Sequence, residues 1–305
     1  VLSEKSWKLD AVLRLFLSVL VCVLIGASVL GVVNYSGGPR KTGIAPFGAL
    51  TLASLGLLIA ALFALRKSWR LETFTRQFLT FLACIYGGMM LGWWAQHLAG
   101  AARSEGSAVQ MTIATLSFQG AALLLITLFL KEHDVGWTDA FGFANDPMRA
   151  LLFGAVTAFV FLPIGLGLQW LSAEVMTRLP LFPMKPEEQQ AVQTLRVASS
   201  WLHRAVLSVV TILLAPAAEE FLFRGILYAW IKQAGFRRLA WWISCLLFAA
   251  MHLNLMTFLP LLVLAFVLTA LYEKTNNLLA PIMAHALFNA VNLVRLYLLE
   301  NQLNG

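Results

Sequence analysis

The sequence predicts an all-α fold, a polytopic transmembrane helical bundle with about eight to nine membrane-spanning helices. Three observations carry this expectation. Of 305 residues, 60% are hydrophobic and 12% charged, with a mean hydropathy of +0.78, whereas a soluble domain of this size is about half apolar and about a quarter charged. The apolar residues gather in runs long enough for helices of roughly 20 residues, the length that crosses a hydrocarbon core. Trp69, Trp93, Trp94, Trp170, Trp201, Trp230, Trp241 and Trp242 cluster near the ends of those runs, where interfacial aromatic anchors belong.

In chain order the crossings are expected near 11–33, 44–65, 78–98, 109–130, 151–172, 201–230, 239–253, 257–272 and 281–299. That makes nine, or eight if one enters the bilayer without crossing it. The first run is long for a cleavable signal and has no convincing small-residue cleavage site, so it reads as a retained helix. Between the fourth and fifth crossings, "HDVGWTDAFGF" reads as a surface turn with a short helix. The stretch 174–200 is the most polar; its "PEEQQAVQTLRVASS" suits an interfacial amphipathic helix. Residues 1–145 form a divergent set of N-terminal transmembrane helices, and 146–305 hold every motif described below.

The net charge is +7, which in a soluble protein would raise nucleic-acid binding. Here the cations Arg66, Lys67, Arg70, Lys232, Arg237 and Arg238 sit in short loops between apolar runs, which suits topology-setting charge beside lipid. The expected partner surface is therefore the membrane lipid bilayer and not nucleic acid. Cys22, Cys84 and Cys245 lie within apolar runs and form no CxxC pair, so they read as small hydrophobes.

Three places in the second half hold polar groups that hydrocarbon disfavours. In "LLAPAAEEFLFRGILY", Glu220 and Arg224 are four residues apart and share a helix face. Glu219 points about 100° away from Glu220, so two acids face one base and Glu219 lacks a partner within the motif. One reading is a structural ion cluster; the other makes Glu219 a general base or acid. Next, Phe248 and His252 stand one turn apart in "FAAMHLN". At about 1.5 Å per residue, Glu219 lies ~20 Å from Lys232 and His252 ~22 Å from Arg237, so one hairpin carries both to the same depth. Last, "APIMAHALFNAVN" sets His285, Asn289 and Asn292 in a polar stripe, which could bind helices together or line a site. Because His285 lies only about one turn from the helix start at Pro281, convergence requires the 276–280 connection to dip inward.

In order and spacing, Glu219-Glu220-x-x-x-Arg224, Phe248-x-x-x-His252 and His285-x-x-x-Asn289 resemble the three motifs of the CPBP family. These are the CAAX proteases and bacteriocin-processing enzymes, also called Abi, which include the type II CAAX prenyl endopeptidases. The likeness covers roughly residues 131–299 and includes "VGWTDAFGF". The resemblance implies a glutamate-dependent intramembrane endopeptidase in which Glu219 and His252 activate water and His285 and Asn289 stabilise the oxyanion. Glu220 and Arg224, with Phe248 and Asn292, would support them. It implies no cofactor, the alternative being zinc on Glu219, His252 and His285, although no HExxH helix and no carboxylate orienting either histidine is evident. The implied substrate is a membrane-associated protein or peptide, with or without a lipid modification, in the bacterial cytoplasmic (inner) membrane. A non-proteolytic scaffold or immunity protein using the same pocket is the alternative from another class.

Overall fold

The structure, a computed structural model, describes residues 7–36, 44–66, 68–69, 74–99, 108–178, 193 and 201–303. Among them there is no strand, and eight helices are long and apolar enough to cross a membrane. The chain divides into two compact units, Lys8–Phe129 and one built on Leu130–Gly305. The amphipathic helix expected within 186–200 lies outside the described residues, save Gln193.

The first unit holds α1 (Leu9–Ser36), α2 (Ile44–Leu65), α3 (Phe74–Ala99) and α4 (Ala108–Thr115), which runs through a π-helical turn, Leu116–Gly120, into α5 (Ala121–Glu132). Its core is Val21, Leu58, Ala61, Leu65, Phe81 and Ile85. Lipid offers no hydrophobic drive for helices to associate, so close packing and shared hydrogen bonds must hold them. Ser54 and Gly88 supply both: the Ser54 hydroxyl donates to the Gly88 carbonyl at 2.7 Å, and a Cβ on Gly88 would meet the Leu58 side chain at 2.8 Å.

The second unit starts with the short α6 (Trp137–Phe141) and the long α7 (Pro147–Arg178). The helix spanning Trp201–Gln233 is one rod with two π-helical insertions: α8 (Trp201–Val209), Val210–Leu214, α9 (Ala215–Glu220), Phe221–Tyr228 and α10 (Ala229–Gln233). After it come α11 (Arg237–Met251), α12 (Leu255–Thr275) and α13 (Leu279–Leu303). With 15 residues, α11 is about 22 Å long, shorter than a hydrocarbon core of about 30 Å. The seventh apolar run is thus too short to span, and eight candidate spans stand among the described residues, within the eight to nine expected.

Small residues on α7 set how closely α13 approaches. A Cβ on Gly154 would come within 2.5 Å of the Ala280 carbonyl, and one on Gly165 within 2.8 Å of the Phe288 ring. At the loop end, Glu273 of α12 ties the preceding hairpin down. It accepts from Lys232 at 2.7 Å, from Arg237 at 2.6 Å and from the Tyr228 hydroxyl.

The 276–278 connection does turn inward, and the α6 segment is what receives it. Asn277 and Leu278 are fully buried. The Leu278 N–H donates to the Phe141 carbonyl at 3.0 Å. Asn145 and Asn277 exchange side-chain-to-backbone bonds, Asn145 Nδ2 to Asn276 O at 3.0 Å and Asn277 Nδ2 to Asn145 O at 2.8 Å. Asn277 Oδ1 also caps α13 by accepting from Leu279 N at 2.9 Å. Gly142, at φ +72°, ends α6 in the left-handed conformation, where a side chain would collide with the Asn276 carbonyl. A buried connection is tolerable only if its backbone groups find partners, and this segment supplies them.

Candidate functional site

Glu219 and Glu220 close α9, immediately before the second π-helical stretch. One extra residue per turn in such a stretch re-aims the side chains around it, and π insertions recur at functional sites. The two carboxylates accordingly face different surroundings.

Glu220 is fully buried with Arg224. Its Oε1 accepts from Arg224 Nη1 at 2.8 Å and from His285 Nδ1 at 3.0 Å. Arg224 continues to α12, where Nη2 donates to the Ala265 carbonyl at 3.1 Å, and its guanidinium stacks 4.4 Å from the Phe248 ring centroid. A buried ion pair is tolerated when further bonds satisfy it. These reach α11, α12 and α13, so the pair fastens four helical elements at one depth. The expectation that no carboxylate orients either histidine is corrected here: Glu220 orients His285. Nothing within the motif spacing reveals that partnership, because it joins residues 65 apart.

Glu219 stands apart from Arg224. Its Oε2 is buried, has no hydrogen-bond partner among the described residues, and lies 3.9 Å from His252 Nε2 and 4.0 Å from His285 Nε2. The side chains of Glu219 and His252 retain 14% and 23% exposure, against 3% for His285, so the cluster opens on the Glu219–His252 side.

The histidines are held differently. His252 closes α11, and its Nδ1 sits 2.8 Å from the Phe248 carbonyl, an acceptor only, so Nδ1 donates there and Nε2 is the nitrogen that faces Glu219. Leu253, in the left-handed region at φ +47°, then turns the chain, and Asn254 Oδ1 caps α12 by accepting from Thr257 N at 3.0 Å. A leucine there stores local strain. Phe248 fills the space between, its centroid 5.1 Å from the His252 ring and 5.6 Å from His285.

The stripe on α13 does not act as a unit. His285 enters the cluster, Asn289 Nδ2 donates to the Thr211 carbonyl in the first π-helical turn at 3.0 Å, and Asn292 bonds its own helix at Phe288 O, 2.8 Å away. The Thr211 carbonyl is an acceptor that side-chain patterns do not show; a π turn in the sequence would have been its only signal.

Zinc at about 2.0–2.1 Å from a carboxylate oxygen and an imidazole in tetrahedral array needs an O···N separation of about 3.3 Å. The observed 3.9 and 4.0 Å are wider, and among the described residues no three His, Cys, Asp or Glu side chains form a metal-holding group. As arranged, Glu219, His252 and His285 do not fit the ion.

Residues 201–291 match the family described as type II CAAX prenyl endopeptidase Rce1-like. The chain is similar to the uncharacterized protein YpbD of Bacillus subtilis, 36% identical over 83 residues, 26% of this chain and 40% of that protein. It is also similar to the UPF0177 protein YxdF of Lactococcus lactis, 33% identical over 78 residues, 25% of this chain and 42% of that one. The chain thus spans about two fifths of the length of these curated relatives. No solved structure matches it.

Proposed function

Because residues 201–291 match the family described as type II CAAX prenyl endopeptidase Rce1-like, we propose that this integral membrane protein is an intramembrane endopeptidase. It hydrolyses a peptide bond of a membrane-associated protein or peptide, using water activated by Glu219 and His252. The observation that carries this is the buried Glu219 Oε2, without a hydrogen-bond partner among the described residues, 3.9 Å from His252 Nε2. A water within about 2.8 Å of both atoms spans such a gap.

In the reaction, Glu219 takes a proton from that water as its oxygen bonds to the carbonyl carbon, and His252 accepts the second hydrogen bond and fixes the attack direction. Negative charge moves onto the carbonyl oxygen. His285, with Nδ1–H held by Glu220, donates to that oxygen from Nε2 when the ring carries a second proton, and the remaining Asn289 N–H is the other donor. Collapse breaks the C–N bond, and the amine leaves with the proton from Glu219. No metal enters this scheme, for which the wide O···N separations argue. Both relatives are bacterial, which supports a place in the bacterial cytoplasmic membrane.

The test compares peptide termini in membranes from cells bearing the natural chain or Glu219→Gln. Termini that vanish with the substitution identify substrates, and whether they carry a lipid. Unchanged termini with full rescue of a null phenotype by Glu219→Gln would instead make the protein a scaffold.

A further inference from the structure

On the loop side of the second unit, a cleft of about 190 Å³ opens between the start of α7 and the end of α12, lined by Asn145, Asp146, Arg149, Phe153, Lys274 and Thr275. Two cations share one aromatic platform there: Lys274 Nζ lies 4.9 Å and the Arg149 guanidinium 5.4 Å from the Phe153 ring centroid. Both are exposed, and neither has a carboxylate partner among the described residues. The other polar groups are engaged. Asp146 Oδ1 accepts from Arg149 N at 3.3 Å, Asn145 is bonded to Asn276, and the Thr275 hydroxyl donates to Leu271 O at 2.8 Å. Two like charges held over one ring repel, and an anion between them relieves that repulsion.

We propose that this cleft binds the headgroup phosphate of an anionic phospholipid. Arg149 is the third residue of one candidate span, and Lys274 is the last but one of another, so the cations stand at headgroup level. From Arg149's own turn an apolar face runs into the bilayer through Met148, Leu152, Val156 and Phe159, each more than half exposed, a bed for acyl chains that free phosphate does not need. Counting Asp146, the cleft carries one net positive charge, which a phosphodiester neutralises. Arginine presents paired donors to phosphate oxygens and lysine a point charge, and Phe153 holds both stems in place.

The full chain is reconstituted in nanodiscs of equal phosphatidylglycerol and phosphatidylcholine, and retained lipid is counted by native mass spectrometry. One phosphatidylglycerol should stay with the natural chain. Its preference over phosphatidylcholine should fall about 30-fold in R149Q/K274Q and about 5-fold in K274Q alone, in line with the usual effect of single basic groups at an anionic surface. The control K131Q/R238Q removes the same charge from the same end of the unit and should leave the preference within 2-fold. Equal losses from both double variants would mean diffuse attraction and overturn the site, as would an unchanged preference in R149Q/K274Q. Protection of the chain by inorganic phosphate without retained phosphatidylglycerol would overturn it too, in favour of a free-phosphate pocket. K274Q changes one exposed side chain, so its reading stands even if the double variant folds poorly.

Discussion

Glu219 and Glu220 are chemically identical neighbours, and what separates them is their partners. Glu220 is sealed between Arg224 and His285, so Glu220→Gln leaves a buried guanidinium uncompensated. Loss of one partner from such a pair costs about 3–5 kcal/mol, and the detergent-purified variant should melt markedly earlier. Glu219→Gln alters a carboxylate whose Oε2 has no hydrogen-bond partner among the described residues; its melting point should stay close to that of the natural chain while proteolysis falls by roughly 10²- to 10⁴-fold, the usual effect of a general base. Arg224→Lys is not conservative here. It keeps charge but loses either the Ala265 carbonyl or the Glu220 bond, together with the stack on Phe248, and its stability should fall between those of the natural chain and Glu220→Gln.

Among the elements, the second π-helical stretch, the α6 segment and the buried 276–278 connection depend on one another. Gly225 lies in the π stretch, where a Cβ would meet the Phe141 ring at 2.5 Å. Phe141 is fully buried and its carbonyl holds Leu278. Gly225→Ala should therefore push α6 outward and destabilise by about 1–3 kcal/mol, as overpacking does. A loss of activity larger than the loss of folded protein would show that His285 has moved with the connection. Glu273→Gln acts three residues before that connection, at the loop between α10 and α11. It weakens the bonds from Lys232, Arg237 and Tyr228 at once, and should lower the melting point by an amount that shrinks as salt is added.

At the scale of the molecule, the bundle was legible because runs of apolar residues and interfacial tryptophans are direct consequences of a hydrocarbon solvent. The depth of Glu219 and His252 was legible too, since helix rise measures distance from a shared loop. Three features were not. Which of the nine expected runs falls short of crossing stays open in the sequence, and the end of α11 at Met251 marks it as the short one. The partnership of Glu220 with His285 joins distant segments. Backbone acceptors at Thr211 and Ala265 have no side-chain signature, so the anchors they give Asn289 and Arg224 are not readable from spacing.

The central question for this site is whether Glu219 delivers water to a peptide bond. The full chain in nanodiscs is given membrane-peptide substrates in H₂¹⁸O, and the new carboxyl termini are weighed before and after treatment with a chelator. One ¹⁸O is expected in each new terminus, with no effect of the chelator and no product from Glu219→Gln that melts like the natural chain. Undiminished cleavage by folded Glu219→Gln would contradict this role of Glu219.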